Sequence, residues 1–396
     1  MNLTSSTAVG VLGAGAMGGG IAQVAARHGH EVVVVDSSAE ALERARADAE
    51  KSMRREVEKG RLGEAEARAA IGRLRYAGRQ GADGMDGFRD YGLVVEAVVE
   101  RLDVKREVFA RLEDVVAPDA VLATNTSSLS VSSIAAACGH PERVLGAHFF
   151  NPATVMPLVE IIGGIATADD IVAGTKALVD AWGKTTVHAA DTPGFIVNRV
   201  ARPFYGESLR LLEEGAADAA TIDWAMREIG GFRMGPFELM DFIGHDVNFA
   251  VTRSLYEAFF QEPRYRPSLT QQRLVEAGRL GRKSGRGFYD YSDGASRGEP
   301  HKDSTLGTAI VDRVVAMLIN EAADAVLLRV ASPADVDLAM TKGVNYPRGL
   351  LAWADEIGIG TVVARLEALQ AEYGEDRYRP SVMLRRMARE GRRFHG

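Results

Sequence analysis

Residues 7–36 read TAVGVLGAGAMGGGIAQVAARHGHEVVVVD, and this stretch decides the fold of the first half of the chain. A short β-like run ends at Leu12, and glycines follow at Gly13, Gly15 and Gly18. A helical pattern then runs to Gly29, and a second apolar run, Val32 to Val35, ends at Asp36. Alone, G-x-G-x-x-G says little. Between a strand and a helix, with an acid eighteen residues after its last glycine, it predicts a dinucleotide-binding turn. Gly13 permits the tight turn, Gly15 admits a pyrophosphate close to the backbone, and Gly18 lets helix and strand pack closely. The backbone from Gly13 through Ala16 and Met17 to Gly18 is therefore expected at the phosphates, with the free N–H groups of the helix start. Asp36 is expected to accept from a ribose diol and repel a 2′-phosphate, which favours NAD over NADP. The alternative is a glycine-rich turn that binds nothing.

Working outward, SSAE (37–40) has the pattern of a capping box, Ser37 with Glu40, opening a long helix that continues through KSMRREVEKGR. A second helical stretch covers about residues 64–73, so a helical hairpin separates two strands. Its Lys51, Arg54, Arg55, Lys59 and Arg61 could meet an anion, although a charge run of this kind is more often a solvated face. The βα rhythm resumes with GLVVEAVVE, AVLATNTSSLS, RVLGAHFF, MPLVEII and KTTVHAAD as strands. Helices near 103–115, 130–137 and 168–182 separate several of them. That alternation predicts an α/β, doubly wound sheet whose ligands lie beyond the carboxyl ends of the strands. Three polar clusters fall at such ends: Glu96 with Glu100, TNTSS at 124–128, and His148 with Asn151.

LGAHFFNPATVMPLVEII (145–162) is apolar apart from His148 and Glu160. A carboxylate flanked by Leu158, Val159, Ile161 and Ile162 needs a partner if it is buried, and the histidine is the candidate. Taken alone, an apolar-flanked histidine is more often a satisfied core residue than a base.

The pattern turns helical at Thr192 and stays so to about residue 278, where GRLGRKSGRGFYDY forms a glycine-rich basic loop; residues 292–304 read as a linker. The remainder repeats what preceded it. TAIVDRVVAMLINEAADAVLLRVASPADVDLAM echoes GFIVNRVARPFYGESLRLLEEGAADAATIDWAM, and RYRPSVMLRRMAREGR echoes RYRPSLTQQRLVEAGR. Three domains are expected: 1–190, 191–291 and, as a degenerate copy of the second, 305–396. The last has Asp312 where its template has Asn198, and it ends before any counterpart of GRKSGRGFYDY.

Bulk properties narrow the class. The chain has 396 residues, 46% of them hydrophobic and 26% charged, an ordinary globular composition. A net charge of −7 argues against nucleic acid as a partner. No signal peptide or membrane span is read, and a single cysteine, Cys138, fits a reducing, cytoplasmic setting.

Together these stretches resemble the NAD-dependent 3-hydroxyacyl-CoA dehydrogenases. The resemblance runs from GVLGAGAMGGGIAQVAA through NTSSLS, GAHFFNPATVMPLVEI and DTPGFIVNRV to GRKSGRGFYDY, nearly all of residues 8–291. The extra copy is similar to the duplicated tail of longer bacterial members. The resemblance implies a Rossmann-type domain followed by two homologous all-α domains. It implies that His148 is the general base taking the 3-hydroxyl proton as hydride leaves C3 for NAD, with Glu160 holding the other ring nitrogen. Ser127 and Asn198 match groups that bond substrate oxygens. Glu100, Lys105, Ser127, Asn151 and Lys283 match dinucleotide contacts, and Ser52 and Lys59 match coenzyme A contacts. No metal is implied. The implied substrate is an acyl-CoA from fatty-acid or aromatic-acid breakdown. Alternatives are a 3-hydroxyadipyl-CoA-specific member, a gulonate-type free hydroxy-acid dehydrogenase, and a non-catalytic NAD-binding relative. Arg233, Arg253, Arg264 and Arg266 are candidates for a distal substrate carboxylate. The two helical copies are expected to pair as an internal pseudo-dimer, with further homo-oligomerisation open.

Overall fold

The structure, a computed structural model, describes residues 3–78, 84–296 and 298–396. They fall into two compact units, Met1–Thr192 and Pro193–Gly396.

The described residues of the first unit form eight strands: β1 (Val9–Leu12), β2 (Val32–Asp36), β3 (Leu74–Gly78), β4 (Leu93–Glu96), β5 (Val121–Thr124), β6 (Val144–Phe149), β7 (Leu158–Gly163) and β8 (Thr185–Ala190). Their order is β3-β2-β1-β4-β5-β6-β7-β8, all neighbours parallel except β6 and β7. The helices are α1 (Ala16–Arg27), α2 (Ala39–Glu58), α3 (Glu64–Gly72), α4 (Leu102–Val115), α5 (Val131–Ala135) and α6 (Asp169–Ala181). Runs such as VVVV in β2 are buried along their length because helices cover both faces of the sheet.

Two local readings change. The cap of α2 is Ser38, whose side chain accepts from the Ala41 N–H, because Asp36 Oδ1 takes the Ser38 N–H and sets the helix start one residue later than the Ser37 box. The helical pair α2–α3 also leads into a strand the sequence did not announce. Leu74–Gly78 is the half-exposed edge beside β2, with Arg75 and Tyr76 where an apolar run would have signalled a strand. The antiparallel β6–β7 pair was likewise not anticipated, and it matters for the site.

The second unit is helical. Its first stretch holds α7 (Val197–Val200), α8 (Arg202–Glu213), α9 (Ala219–Trp224), α10 (Pro236–Ile243), α11 (His245–Ala258) and α12 (Leu269–Glu276). Its second holds α13 (Ser304–Leu327), α14 (Pro333–Gly343), α15 (Leu350–Ile357), α16 (Ile359–Tyr373) and α17 (Val382–Glu390). Where the first stretch has α7 and α8 broken at Ala201, the second has the single helix α13. Pro203, which has no N–H to donate, stands in the first turn of α8, whereas the matching residue in α13 is Met317. The helices α13 and α8 pack on each other. Ile310, Val314, Val315, Leu318 and Ile319 of α13 are all buried.

The second stretch carries more of the glycine-rich loop's architecture than its sequence suggested. Asp241 accepts from the N–H groups of Phe288 and Tyr289, and Asp355 accepts in the same way from Phe394 and His395. Tyr289 Oη donates to Asp223, and His395 Nε2 lies 2.9 Å from the matching Asp337. The chain's last residues therefore stand in for FYDY, which alignment by letters could not reveal because histidine replaces tyrosine.

Candidate active site

The glycines of the first turn divide their tasks as expected. Gly13 has φ +108°, and a Cβ there would lie 2.5 Å from the Ala97 carbonyl oxygen. A Cβ on Gly18 would lie 1.9 Å from the Gly13 oxygen, so close strand–helix packing demands glycine. At Gly15 a Cβ would meet nothing within 4 Å among the described residues. Packing does not require that glycine, whereas a ligand approaching the backbone would. Gly15 caps α1 with no side-chain hydrogen bond, so the N–H groups from Ala16 and Met17 onward form a positive helix end facing that space.

Asp36 closes β2 with both oxygens engaged, Oδ2 accepting from Ala14 N at 2.7 Å and Oδ1 from Ser38 N at 2.8 Å. It edges a cavity of about 500 Å³ walled by Leu12, Val35, Met85, Val98 and Val108. An apolar slot with a carboxylate at its rim and a glycine turn at its mouth fits an adenosine and its phosphates. A second cavity, about 430 Å³, lies against Gly19, Gly20 and Ala153 and reaches Arg44, Asp48 and Ser52 on α2. Ser52 thus lines a space that begins at the glycine turn. Lys59 is exposed at the C-cap of α2, about 10 Å further along at 1.5 Å per residue.

The TNTSS segment is clamped by one carboxylate. Glu100 Oε1 accepts from Thr126 Oγ1 (2.7 Å), Ser127 N (2.9 Å), Ser128 N (3.1 Å) and the hydroxyls of Ser127 and Ser128. Burial would raise its pKa, but the hydroxyl and backbone donors and the Lys105 ammonium outweigh it and hold the carboxyl below its usual range. Lys105, expected at the dinucleotide, is only 1% exposed, with Nζ 2.6 Å from Glu96 and 3.4 Å from Glu100. Its charge is spent inside the protein, where it supports Glu100 from beneath. Ser127 is half-buried at the rim of this cluster.

His148 and Glu160 meet because β6 and β7 pair antiparallel. In the β6–β7 register they are direct cross-strand partners, so their side chains share a face of the sheet. Nδ1 and Oε2 are 2.6 Å apart, with Glu160 fully buried and His148 nearly so. An ionised carboxylate can only accept, so Nδ1 carries the proton and Nε2 is the basic nitrogen.

Two supports of this pair had no reading in the sequence. Asn125 Oδ1 accepts from the N–H of Phe149, tying the end of β6 to the serine cluster. Lys184 Nζ donates to the carbonyls of Ala153 (2.5 Å) and Met156 (2.8 Å), pinning the loop that joins β6 to β7. Burial pushes its pKa down to about 8. The signal for Asn125 was its place in TNTSS, directly after β5; Lys184 is a lone lysine at a strand start and gives none. Asn151 is exposed in the pinned loop.

In the helical unit, Asn198 is half-buried in the short α7. Lys283 pairs with Asp246, Nζ to Oδ2 at 2.7 Å. Asp312, where the second stretch departs from Asn198, pairs with Arg365 at 2.8 Å. Of the four candidate arginines, Arg264 is buried on Asp324 and Glu321 and is not available to a substrate. Arg233, Arg253 and Arg266 are exposed.

Comparison with known proteins adds independent findings. Residues 8–192 match the model of the 3-hydroxyacyl-CoA dehydrogenase NAD binding domain. The model of the 3-hydroxyacyl-CoA dehydrogenase C-terminal domain matches twice, at residues 194–291 and 310–393. The chain is 41% identical to a 3-hydroxyadipyl-CoA dehydrogenase of Escherichia coli (strain K12), over 96% of this chain and 97% of that one. It is 41% identical to a probable 3-hydroxybutyryl-CoA dehydrogenase of Deinococcus radiodurans, over 71% of this chain and 99% of the relative. A crystal structure of 3-hydroxybutyryl-CoA dehydrogenase from Escherichia coli K12 superposes with a TM-score of 0.91 at 40% identity, covering 98% of this chain and 99% of the other. No helix among the described residues is long and apolar enough to cross a membrane.

Proposed function

This chain belongs to the 3-hydroxyacyl-CoA dehydrogenase family, and from that premise we propose that His148, held by Glu160, is the base that takes the proton from the substrate's 3-hydroxyl. The enzyme is an NAD-dependent oxidoreductase interconverting 3-hydroxyacyl-CoA and 3-oxoacyl-CoA. The observation that carries the proposal is the 2.6 Å Nδ1–Oε2 bond across the β6–β7 pair.

Bound NAD would supply the acceptor for the hydride that leaves C3. The glycine turn and Asp36 would hold its phosphates and adenosine. The protein's own part is the proton. Nε2 takes it from the hydroxyl, the imidazole becomes cationic, and the buried Glu160 carboxylate stabilises that cation through Nδ1. In reduction the imidazolium returns the proton to the oxygen. We assign Ser127 and Asn198 to hydrogen bonds with substrate oxygens, and Ser52 and Lys59 to the coenzyme A moiety. Glu100, Asn151 and Lys283 are assigned to the dinucleotide, with Lys105 acting through Glu100. A cytoplasmic setting belongs to the same proposal, supported by a single cysteine in 396 residues.

We further propose an internal pseudo-dimer of the helical copies. An approximate two-fold relation between their contacts supports it. Arg199 and Tyr265 of the first copy bond Glu321 of the second at 2.6 and 2.5 Å. Arg313 and Tyr378 of the second bond Glu207 of the first at 2.8 and 2.5 Å. Each pair is the counterpart of the other, as in an isologous interface between identical subunits.

A specific observation favours a second reading of the substrate. Of two relatives that span nearly all of this chain, one is named for 3-hydroxyadipyl-CoA and the other for 3-hydroxybutyryl-CoA. Steady-state kcat/KM with 3-hydroxybutyryl-CoA, 3-hydroxyadipyl-CoA and free 3-hydroxybutyrate decides among them. The CoA esters should be used and the free acid should not; a preference for the free acid would overturn the coenzyme A assignment.

Cofactor choice provides a separate check. A charge-assisted hydrogen bond is worth about 1.5–3 kcal/mol, so Asp36→Ala should raise the KM for NAD roughly 10–100-fold. NADP use should suffer less, because the variant no longer repels a 2′-phosphate. Equal wild-type rates with both cofactors would contradict the role given to Asp36.

A further inference from the structure

We propose that Glu321, in the second helical copy, is a positioning residue that sets the orientation of Asn198 in the first. The inference rests on the assignment of Asn198 to the substrate.

Asn198 lies in α7, a single turn of four residues joined to α8 through Ala201, too short to fix its side chains' aim without packing around it. The backbone entering that turn is strained. Gly194 has φ +73° and Phe195 has φ +48°, a conformation that a residue with a large side chain keeps only when its surroundings impose it. The residue next to Asn198, Arg199, supplies an anchor. It is 3% exposed, its Nε donates to Glu321 Oε1 at 2.6 Å, and its guanidinium lies 5.0 Å from the centre of the Phe259 ring. Tyr265 donates to the same oxygen at 2.5 Å, fixing the carboxylate from the other side. Both α13, which carries Glu321, and α14 of the second copy pack on α7. A one-turn helix whose middle arginine is locked to a buried carboxylate has no freedom to rotate, so the neighbouring asparagine has a fixed aim.

The molecule contains its own control. Arg313, Glu207 and Tyr378 reproduce the same buried triad with the copies exchanged, but the residue beside Arg313 is Asp312, which is paired with Arg365. The two carboxylates are each 1% exposed, and each accepts from one arginine and one tyrosine. Removing either charge should cost similar stability, and only Glu321 should affect catalysis.

The test measures kcat, both KM values and thermal stability for Glu321→Gln, Glu207→Gln, Asn198→Ala and Glu321→Gln combined with Asn198→Ala. Small misplacements of a substrate-positioning group cost up to about 100-fold, so Glu321→Gln should lower kcat/KM for the acyl-CoA by roughly 10–100-fold. The KM for NAD should not move. Glu207→Gln should melt at a similarly lowered temperature yet keep wild-type kcat/KM. In the Asn198→Ala background, Glu321→Gln should add no further loss, because the two act through one group. Should both glutamine variants fold poorly, Tyr265→Phe against Tyr378→Phe removes one hydroxyl from each triad and should show the same asymmetry on a smaller scale. An impaired Asn198→Ala beside an unimpaired Glu321→Gln, or equal catalytic losses at Glu321 and Glu207, would overturn the positioning role alone. An Asn198→Ala variant with wild-type kcat/KM would overturn the Asn198 assignment and this inference with it.

Discussion

Replacing His148 with alanine should lower kcat by about 10²–10⁴-fold, the range that a positioned acid–base group contributes. The KM for NAD should stay near its wild-type value. The glycine turn, Asp36 and the 500 Å³ cavity beside them include no part of His148. The melting temperature should fall, since the substitution takes the His148 ring away from the buried Glu160 carboxylate, while secondary structure is retained. Glu160→Gln is the complementary variant. It keeps a hydrogen-bonding group of the same shape against Nδ1 and removes the charge that stabilises the imidazolium, so kcat should fall while secondary structure is retained. Steady-state kinetics with acetoacetyl-CoA and NADH, beside an NAD titration of the same preparations, check both outcomes.

Ending the chain at Ser296 should abolish the folded monomer, although every residue proposed for catalysis and cofactor binding remains. The deletion removes α13, whose Ile310, Val314, Val315, Leu318 and Ile319 are 0–1% exposed. Fully burying such a side chain stabilises by about 1.5–3 kcal/mol. The deletion also separates Phe204 and Phe232 from Tyr346, whose ring centroids lie 5.8 and 5.0 Å away. Arg199 loses Glu321, and Glu207 loses Arg313 and Tyr378; stranding one member of a buried ion pair costs about 3–5 kcal/mol. Those losses together match or exceed the whole stability of an ordinary domain, about 5–15 kcal/mol. One escape is available. In a pair of shortened chains, Arg199 and Tyr265 of each can meet Glu207 of the other, repeating the contact now made within one chain. Light scattering after size exclusion should therefore find a dimer or aggregates. A soluble, fully active monomer would show that the second copy is not an internal partner.

The sequence was most informative where one residue type has one physical reason. Gly13 and Gly18 are demanded by backbone clashes, and their spacing after a strand announced both the turn and the helix. The apolar setting of Glu160 announced a buried partnership, although not the antiparallel register that makes it. That register puts His148 opposite Glu160, and nothing local to either strand sets its direction. Edge strand β3 escaped notice because half-exposed strands carry no apolar run. The tail at Phe394 and His395 escaped because Asp355 binds backbone N–H groups, which any sequence can offer. Lys105 was placed at the ligand by resemblance, and only the packed structure shows Glu96 and Glu100 taking up its charge. The Arg199–Glu321 pair joins residues 122 positions apart and depends on a repeat visible in the letters, but its geometry comes from tertiary packing.

The central claim is that His148 carries the substrate's proton, and an imidazole titration of the His148→Ala variant tests it most directly. With (S)-3-hydroxybutyryl-CoA and saturating NAD, NADH formation should start far below the wild-type rate and climb as imidazole fills the vacated space and serves as base. Wild-type turnover should not respond to imidazole. A His148→Ala enzyme that forms NADH at the wild-type rate with no imidazole present would contradict the account.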